Sequence, residues 1–185
     1  DGTLIASHST IYKAMVKSLV HFSIDTKIDE TLFNKMIGKH FLDIFVEFGV
    51  TVTDLNGFIN VYKKIYFDFI DESKIYPGII ELLEFLKAKN ILITLLTTKA
   101  QDQADLIIDH FEFRKYFSMV MGRRDGMAHK PSPEPLLFIC KELGIEPSVT
   151  LMTGDTEMDI QCGKNAGAKT CAVSYGYRSI DILKK

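Results

Sequence analysis

The chain has little of what would tie it to a disulfide scaffold, a membrane or a nucleic acid. Its cysteines, Cys140, Cys162 and Cys171, are odd in number and show no Cys-x-x-Cys spacing. Each stands among apolar or small residues, which reads as reduced thiols in a core rather than as a redox pair or a metal knuckle. No apolar run approaches the ~18 residues needed to span a bilayer, and no signal-peptide pattern opens the chain; a cytoplasmic location without a membrane partner is expected. Charge of one sign is equally scarce, since 22 Lys and Arg against 24 Asp and Glu leave a net charge of −2. That field is too weak to imply a nucleic-acid partner. His8, His21, His40, His110 and His129 lack ligand spacing and read as surface or boundary residues. Internal repeats and low-complexity segments are missing as well.

What is present fits one core domain carrying a small insertion: 185 residues, 46% hydrophobic and 25% charged. From roughly Thr10 to Ile70 the pattern is helical throughout. Ile11, Met15, Leu19 and Phe22 follow one helical face, and Phe41, Ile44, Phe45 and Phe48 another. Val61, Ile65 and Phe69, with Tyr62 and Tyr66, supply a third helix, and Gly38 and Gly49 interrupt the series. The aromatic residues of this stretch are expected to form its core.

At Tyr76-Pro77-Gly78 the character changes, and helix alternates with strand from there on. Ile79, Leu82, Leu83 and Leu86 mark a helix ending near Asn90, followed by an apolar strand from Ile91 to Leu96 that Thr97-Thr98-Lys99 stops. A helix over 100–110 and a short strand Met119 to Met121 come next. Ser132 as N-cap, Pro133 in the first turn and Gly144 as terminator frame the next helix. A strand Val149 to Met152, a helix Glu157 to Ala166 and a strand Thr170 to Ser174 complete the series. Strands alternating with helices predict an α/β fold with a doubly wound parallel sheet, into which an all-helical unit is inserted.

Such a sheet collects its chemistry at the carboxyl ends of the strands. Here those ends offer Thr97-Thr98-Lys99, Asp155 and the nearby Lys130, and the loop Asp1-Gly2-Thr3 fits as a further one. Asp155 and Asp159 share a helix face if a helix begins near Thr156. In isolation that pair reads as an N-cap and a solvated face; together with the hydroxyl and the lysine it suits a tetrahedral anion held beside a divalent cation. That combination points to phosphoryl transfer.

Asp1-Gly2-Thr3-Leu4, Leu95-Leu96-Thr97-Thr98-Lys99, Lys130-Pro131-Ser132-Pro133 and Gly154-Asp155-Thr156-Glu157-Met158-Asp159 stand in the order and approximate spacing of the four motifs of the haloacid dehalogenase (HAD) superfamily. The chain resembles its phosphoglycolate-phosphatase-like branch. Tyr76-Pro77-Gly78 and Asn165-Ala166-Gly167-Ala168 add to the likeness, and the helical insert resembles the family's cap. The resemblance implies a HAD-like core over 1–8 and 76–185 with a helical cap over 9–75. It also implies a magnesium-dependent phosphatase acting on a small phosphorylated metabolite through a phosphoaspartate, as a monomer or homodimer. A phosphomutase, a pyrophosphatase and a catalytically silent binding module stay open as alternatives.

By the same resemblance Asp1 matches the general acid and base, and its backbone carbonyl would help hold Mg2+. Thr97, with Gly2 and Thr98 beside it, would bind the phosphoryl group, and Lys130 would neutralise its charge. Asp155 and Asp159 would hold the metal. Gly38 and Lys39, in Ile37-Gly38-Lys39, resemble the cap loop that reaches the site, where Lys39 would meet an anionic tail. The family's nucleophilic aspartate belongs two positions before Asp1, at the end of a central strand. The sequence is therefore expected to be a fragment, and its end at Lys185 falls short of the family's usual final segment.

Overall fold

The computed structural model describes residues 1–184. The chain divides into two compact units, Asp1–Tyr76 and Pro77–Lys185.

In the first unit, a short strand β1 (Ile5–Ala6) pairs antiparallel with β2 (Lys74–Ile75), with Ile5 opposite Ile75. The Tyr76 N–H donates to the Leu4 carbonyl at 3.0 Å and extends the pairing. Between these strands lie four helices, α1 (His8–His21), α2 (Glu30–Asn34), α3 (Phe41–Glu47) and α4 (Leu55–Asp68). Asp29 caps α2 by accepting from the Leu32 N–H at 2.7 Å, and Asp54 caps α4 by accepting from the Gly57 N–H at 2.8 Å; each such cap contributes about 1 kcal/mol. Helix α1 packs on α4 and buries Ile11, Ala14, Met15 and Leu19.

The inward face of α4 is Phe58, Tyr62 and Tyr66, whereas Val61, Ile65 and Phe69 are only half-buried. The expected stripe is thus turned by one residue. Aromatic rings decide this: Phe41 meets Tyr62 at 4.9 Å and Phe45 meets Phe58 at 5.1 Å, both edge to face. Such pairs contribute about 0.5–1.5 kcal/mol beyond the area they bury. Beside them, the Thr10 hydroxyl bonds Ser73 Oγ at 2.7 Å and donates to the Phe69 carbonyl at 3.0 Å, so the end of α4 is tied to the start of α1.

In the second unit, helix and strand alternate as predicted: α5 (Ile79–Ala88), β3 (Thr94–Ala100), α6 (Gln101–His110), β4 (Met119–Arg123), α7 (Glu134–Leu143), β5 (Leu151–Gly154), α8 (Glu157–Asn165), β6 (Lys169–Ala172) and a short α9 (Ile180–Leu183). β3 pairs parallel with β4, and β5 with β6. The α/β class with parallel strands is the one the sequence predicts.

The strand limits differ. β3 starts three residues later than the apolar run and carries through Thr97, Thr98 and Lys99, because ladder bonds to β4 rather than hydrophobicity set its length. β5 likewise begins at Leu151 after a 3-10 turn at Pro147–Val149. The α7 cap sits at Pro133, and Ser132 Oγ accepts from the Glu134 N–H at 3.3 Å. Gly144 at φ +66° ends α7 in the left-handed region, where a side chain would be strained.

Leu136, Cys140, Met152, Cys162 and Ala166 form a core cluster, with Leu96 and Ala168 packed against it. Helix α8 reaches β5 and β6 closely because Gly163 has no side chain: a Cβ there would stand 2.5 Å from Thr170 Cγ2 and 2.9 Å from Met152 Cβ. One face of β5, Met152 and Gly154, is buried, while Leu151 and Thr153 point outward. Cys171 corrects the expectation of core thiols. It is exposed, since among the described residues β6 is bonded to β5 alone and most of its residues face out, whereas Cys140 and Cys162 are buried. Among the described residues no helix is long and apolar enough to cross a membrane.

Candidate active site

The carboxyl end of β3 is irregular where the sequence places a phosphate site. Leu96 stands opposite Met121 and Ala100 opposite Arg123, so Thr97, Thr98 and Lys99 fill a stretch for which β4 supplies only Gly122. The bulge frees this segment from the ladder and re-aims its side chains, a device common at active sites. Thr97 Oγ1 accepts from the Lys99 N–H at 3.3 Å. Gly122 lets the end of β4 close on the start of α6: a Cβ there would stand 2.5 Å from Gln101 Cα.

Lys130 reaches this end from the loop before α7. Its ammonium donates to the Leu96 carbonyl at 3.2 Å and forms an ion pair with Asp159 Oδ1. Both side chains are nearly enclosed, 11% and 6% exposed, so the pair belongs to the interior rather than the surface. The other oxygen of Asp159 accepts from the Thr156 N–H at 3.0 Å and the Thr156 hydroxyl at 2.7 Å. Thr156 in turn receives the Asp159 N–H, which makes a reciprocal capping box at the start of α8. Burial pushes the Asp159 carboxyl up, but the Lys130 charge and hydrogen bond, with the Thr156 donors, outweigh it and hold the group below its ordinary value. Gly154 makes room for this carboxylate, since a Cβ there would lie 2.3 Å from Asp159 Cγ.

Asp155 stands beside the box, 2% exposed, and its Oδ2 accepts from the Tyr177 N–H at 3.0 Å. The loop that carries Tyr177 is pinned by Arg178, whose Nε donates to Glu157 at 2.7 Å. A buried carboxylate at a strand end has the hard oxygen chemistry that suits magnesium. Among the described residues no three His, Cys, Asp or Glu side chains gather into a metal cage. Of the two carboxylates predicted to hold a metal, Asp159 places its oxygens on Lys130 and Thr156, and Asp155 places Oδ2 on the Tyr177 N–H.

The second unit therefore brings together Thr97, Lys130 and Asp159 around one lysine, with Asp155 adjacent. Thr98 stands in the same bulge, and the other predicted residues lie in the first unit. Asp1 accepts from the Ser7 hydroxyl. Gly2, at φ +72°, donates its N–H to the Ile5 carbonyl at 2.8 Å, a tight turn that uses the amide internally. Gly38, at φ +96°, shapes the turn between α2 and α3, and Lys39 follows it on the surface.

Three contributors escape the sequence reading. Thr156 was legible only as a helix start, although Thr-x-x-Asp is the spacing of a capping box. Tyr177 acts through its backbone N–H, which leaves no signature. Gln101 looks like an ordinary first-turn residue, yet its side chain accepts from the Gly122 N–H at 2.8 Å and donates to the Val120 carbonyl at 3.2 Å and to Asp105 at 3.0 Å. It thereby fixes the end of β4 against the start of α6. Two further groups are shifted by burial: the Lys99 ammonium is pushed down to about 7, and the Cys162 thiol up to about 11, which keeps that cysteine inert.

The sequence model described as "Haloacid dehalogenase-like hydrolase" matches residues 1–173. A Clostridium perfringens protein named "Putative pyrophosphatase PpaX" is 35% identical over 176 residues, 95% of this chain and 81% of the relative. A phosphoglycolate phosphatase of Aquifex aeolicus is 32% identical over 178 residues, 96% of this chain and 83% of its own. Among solved structures, a predicted phosphatase from Clostridium acetobutylicum superposes with a TM-score of 0.80 at 28% identity, covering 100% of this chain and 86% of that one. A haloacid dehalogenase-like family hydrolase from Streptococcus pneumoniae, at 20% identity and a TM-score of 0.87 over 100% of this chain and 86% of that one, shares the fold. With four motifs in order, a lysine-centred site at the strand ends and a family match over nearly its whole length, the chain belongs to the haloacid dehalogenase-like hydrolase family, in its phosphoglycolate-phosphatase-like branch.

Proposed function

We propose that this hydrolase is a magnesium-dependent phosphatase that cleaves a small, phosphoglycolate-like phosphate monoester by way of a phosphoaspartate. The observation that carries the reading is Lys130: a nearly enclosed ammonium fixed between the Leu96 carbonyl and Asp159, one residue from the Thr97 bulge. A cation so held is pre-oriented for phosphate oxygens, and charge neutralisation by fixed groups is what phosphoryl transfer most needs. In this reading the Thr97 hydroxyl donates to a phosphoryl oxygen and Lys130 offsets its negative charge. Asp1 gives a proton to the leaving alkoxide and later takes one from the attacking water. Asp155, with Asp159 in support, holds magnesium, which when bound supplies charge compensation to the phosphoryl oxygens. Lys39 contacts an anionic tail of the substrate.

The family motif sets its nucleophile two positions before the aspartate that Asp1 matches. The assay therefore compares this 185-residue chain with one extended by an apolar strand ending in Asp-x, over a panel of small phosphate esters and pyrophosphate, with magnesium and with chelator. Turnover is expected from the extended chain with magnesium and is expected to fall by orders of magnitude in Asp155→Asn. Turnover that survives chelation, or is untouched by Asp155→Asn, would sink this mechanism. An extended chain that hydrolyses nothing would favour a binding module instead. Lys39→Ala is expected to raise KM for acidic substrates more than for neutral ones; an equal effect would remove it as a tail contact.

A further inference from the structure

Beside Thr97 and Lys130 the second unit has a small depression that opens to solvent. Its remaining wall comes from the end of β4 and the loop that follows, including Arg123, Arg124 and His129, and none of its lining residues is acidic. Arg123 is the last residue of β4 and stands in register with Ala100, at the far end of the bulge that carries Thr97. Arg124 is steadied from two sides. Its Nε donates to Gln101 Oε1 at 3.4 Å, and its guanidinium lies 5.7 Å from the centre of the Phe138 ring. Among the described residues no ion pair engages either guanidinium. In a chain of net charge −2, Arg123 and Arg124 concentrate positive charge on the wall shared with Thr97 and Lys130, while the nearby Glu134 carboxylate accepts from the Ala128 N–H at 3.0 Å.

We propose that Arg123 and Arg124 receive a second anionic group of the substrate, next to the phosphoryl group held by Thr97 and Lys130. The inference rests on the phosphatase reading and deepens it by giving the anionic tail of such a substrate a place on the core unit, beside the phosphoryl group. Arginine is suited to this task, because its planar fork bonds a carboxylate or a phosphate in two places at once. The wall carries no Phe, Tyr or Trp on which a base could stack, which sets nucleotides aside. Gln101 is a positioning residue here, since it holds both the Gly122 N–H and Arg124.

The test measures kcat and KM of wild-type, Arg123→Ala, Arg124→Ala and Arg124→Lys proteins, each in the strand-extended form, on pyrophosphate, phosphoglycolate and 2-hydroxyethyl phosphate, whose tail is neutral. Either alanine variant is expected to raise KM for the two doubly anionic substrates about tenfold more than for the neutral-tailed one, and Arg124→Lys to recover only part of the loss. A larger effect on pyrophosphate assigns the second group as phosphate, and on phosphoglycolate as carboxylate. Equal changes on all three substrates, or none, overturn the proposal. If no ester is hydrolysed the phosphatase reading fails by itself, and calorimetry with magnesium then decides. Pyrophosphate binding tighter than phosphate, with that preference lost in Arg124→Ala, upholds the second anion site; no preference in the wild type removes it.

Discussion

Replacing Lys130 with Met keeps the stem and removes the ammonium, which leaves the Asp159 carboxylate enclosed without its cation. Taking one partner from a buried pair costs roughly 3–5 kcal/mol, far more than at the surface. Asp159 retains its two Thr156 donors, so the low end, about 3 kcal/mol, is expected, and the lost bond to the Leu96 carbonyl is part of it. With a denaturant slope of about 2 kcal/mol per molar urea, that corresponds to a midpoint lowered by about 1.5 M. Lys130→Met and Asp159→Asn should couple by about 2 kcal/mol in a double-mutant cycle, the double variant losing less than the sum. Acid adds an independent check. In the wild type the Asp159 carboxyl lies below its unfolded value; its contribution is therefore present above the unfolded value and is lost as pH falls through the folded one. Without Lys130 the cost of burying the charge dominates, the folded value rises, and the variant is relieved when the carboxyl takes a proton. The gap between wild type and Lys130→Met should therefore narrow between pH 7 and pH 4. Urea melts at both pH values measure it. An additive cycle, or a gap indifferent to pH, would refute the view of Lys130 and Asp159 as one interior pair.

Two further outcomes follow from the same geometry. Gly154→Ala puts a methyl group about 2.3 Å from Asp159 Cγ, so Asp159 must leave the capping box; a loss of about 1–3 kcal/mol is expected by urea melt, and a neutral substitution would show that the box yields freely. Lys99, pushed down to about 7 in the fold, is protonated more readily in the unfolded chain. Its contribution to stability therefore rises with pH above about 7, and Lys99→Met should raise the melting temperature more at pH 6 than at pH 9; a pH-independent change would show that burial does not hold the ammonium neutral.

The alternation of helix and strand after Tyr76 was readable because each helix brings its own punctuation, as at Ser132-Pro133 and Gly144 around α7. The family motifs were readable for the same reason, being local. What the sequence concealed was decided between elements. The apolar run at Ile91 precedes the strand it announces because β4 pairs only from Thr94 onward. The inward face of α4 was set by rings arriving from α3, which periodicity on α4 alone does not register. The same holds at the site. Thr97 and Lys130 could be named, but not the bulge that frees one or the carbonyl that seats the other, and nothing in Asp159's position announced its pairing with Lys130.

The β1–β2 ladder has a consequence for how the helical unit could be handled as a part. Because Ile5 lies opposite Ile75, the chain leaves that unit beside the point where it came in. A segment whose two ends are neighbours can be cut out, re-closed by a short linker or grafted into another chain without stretching either flank. The paired residues thus act as a socket, and the helices 8–68 as a plug whose sequence can change while the fitting stays the same.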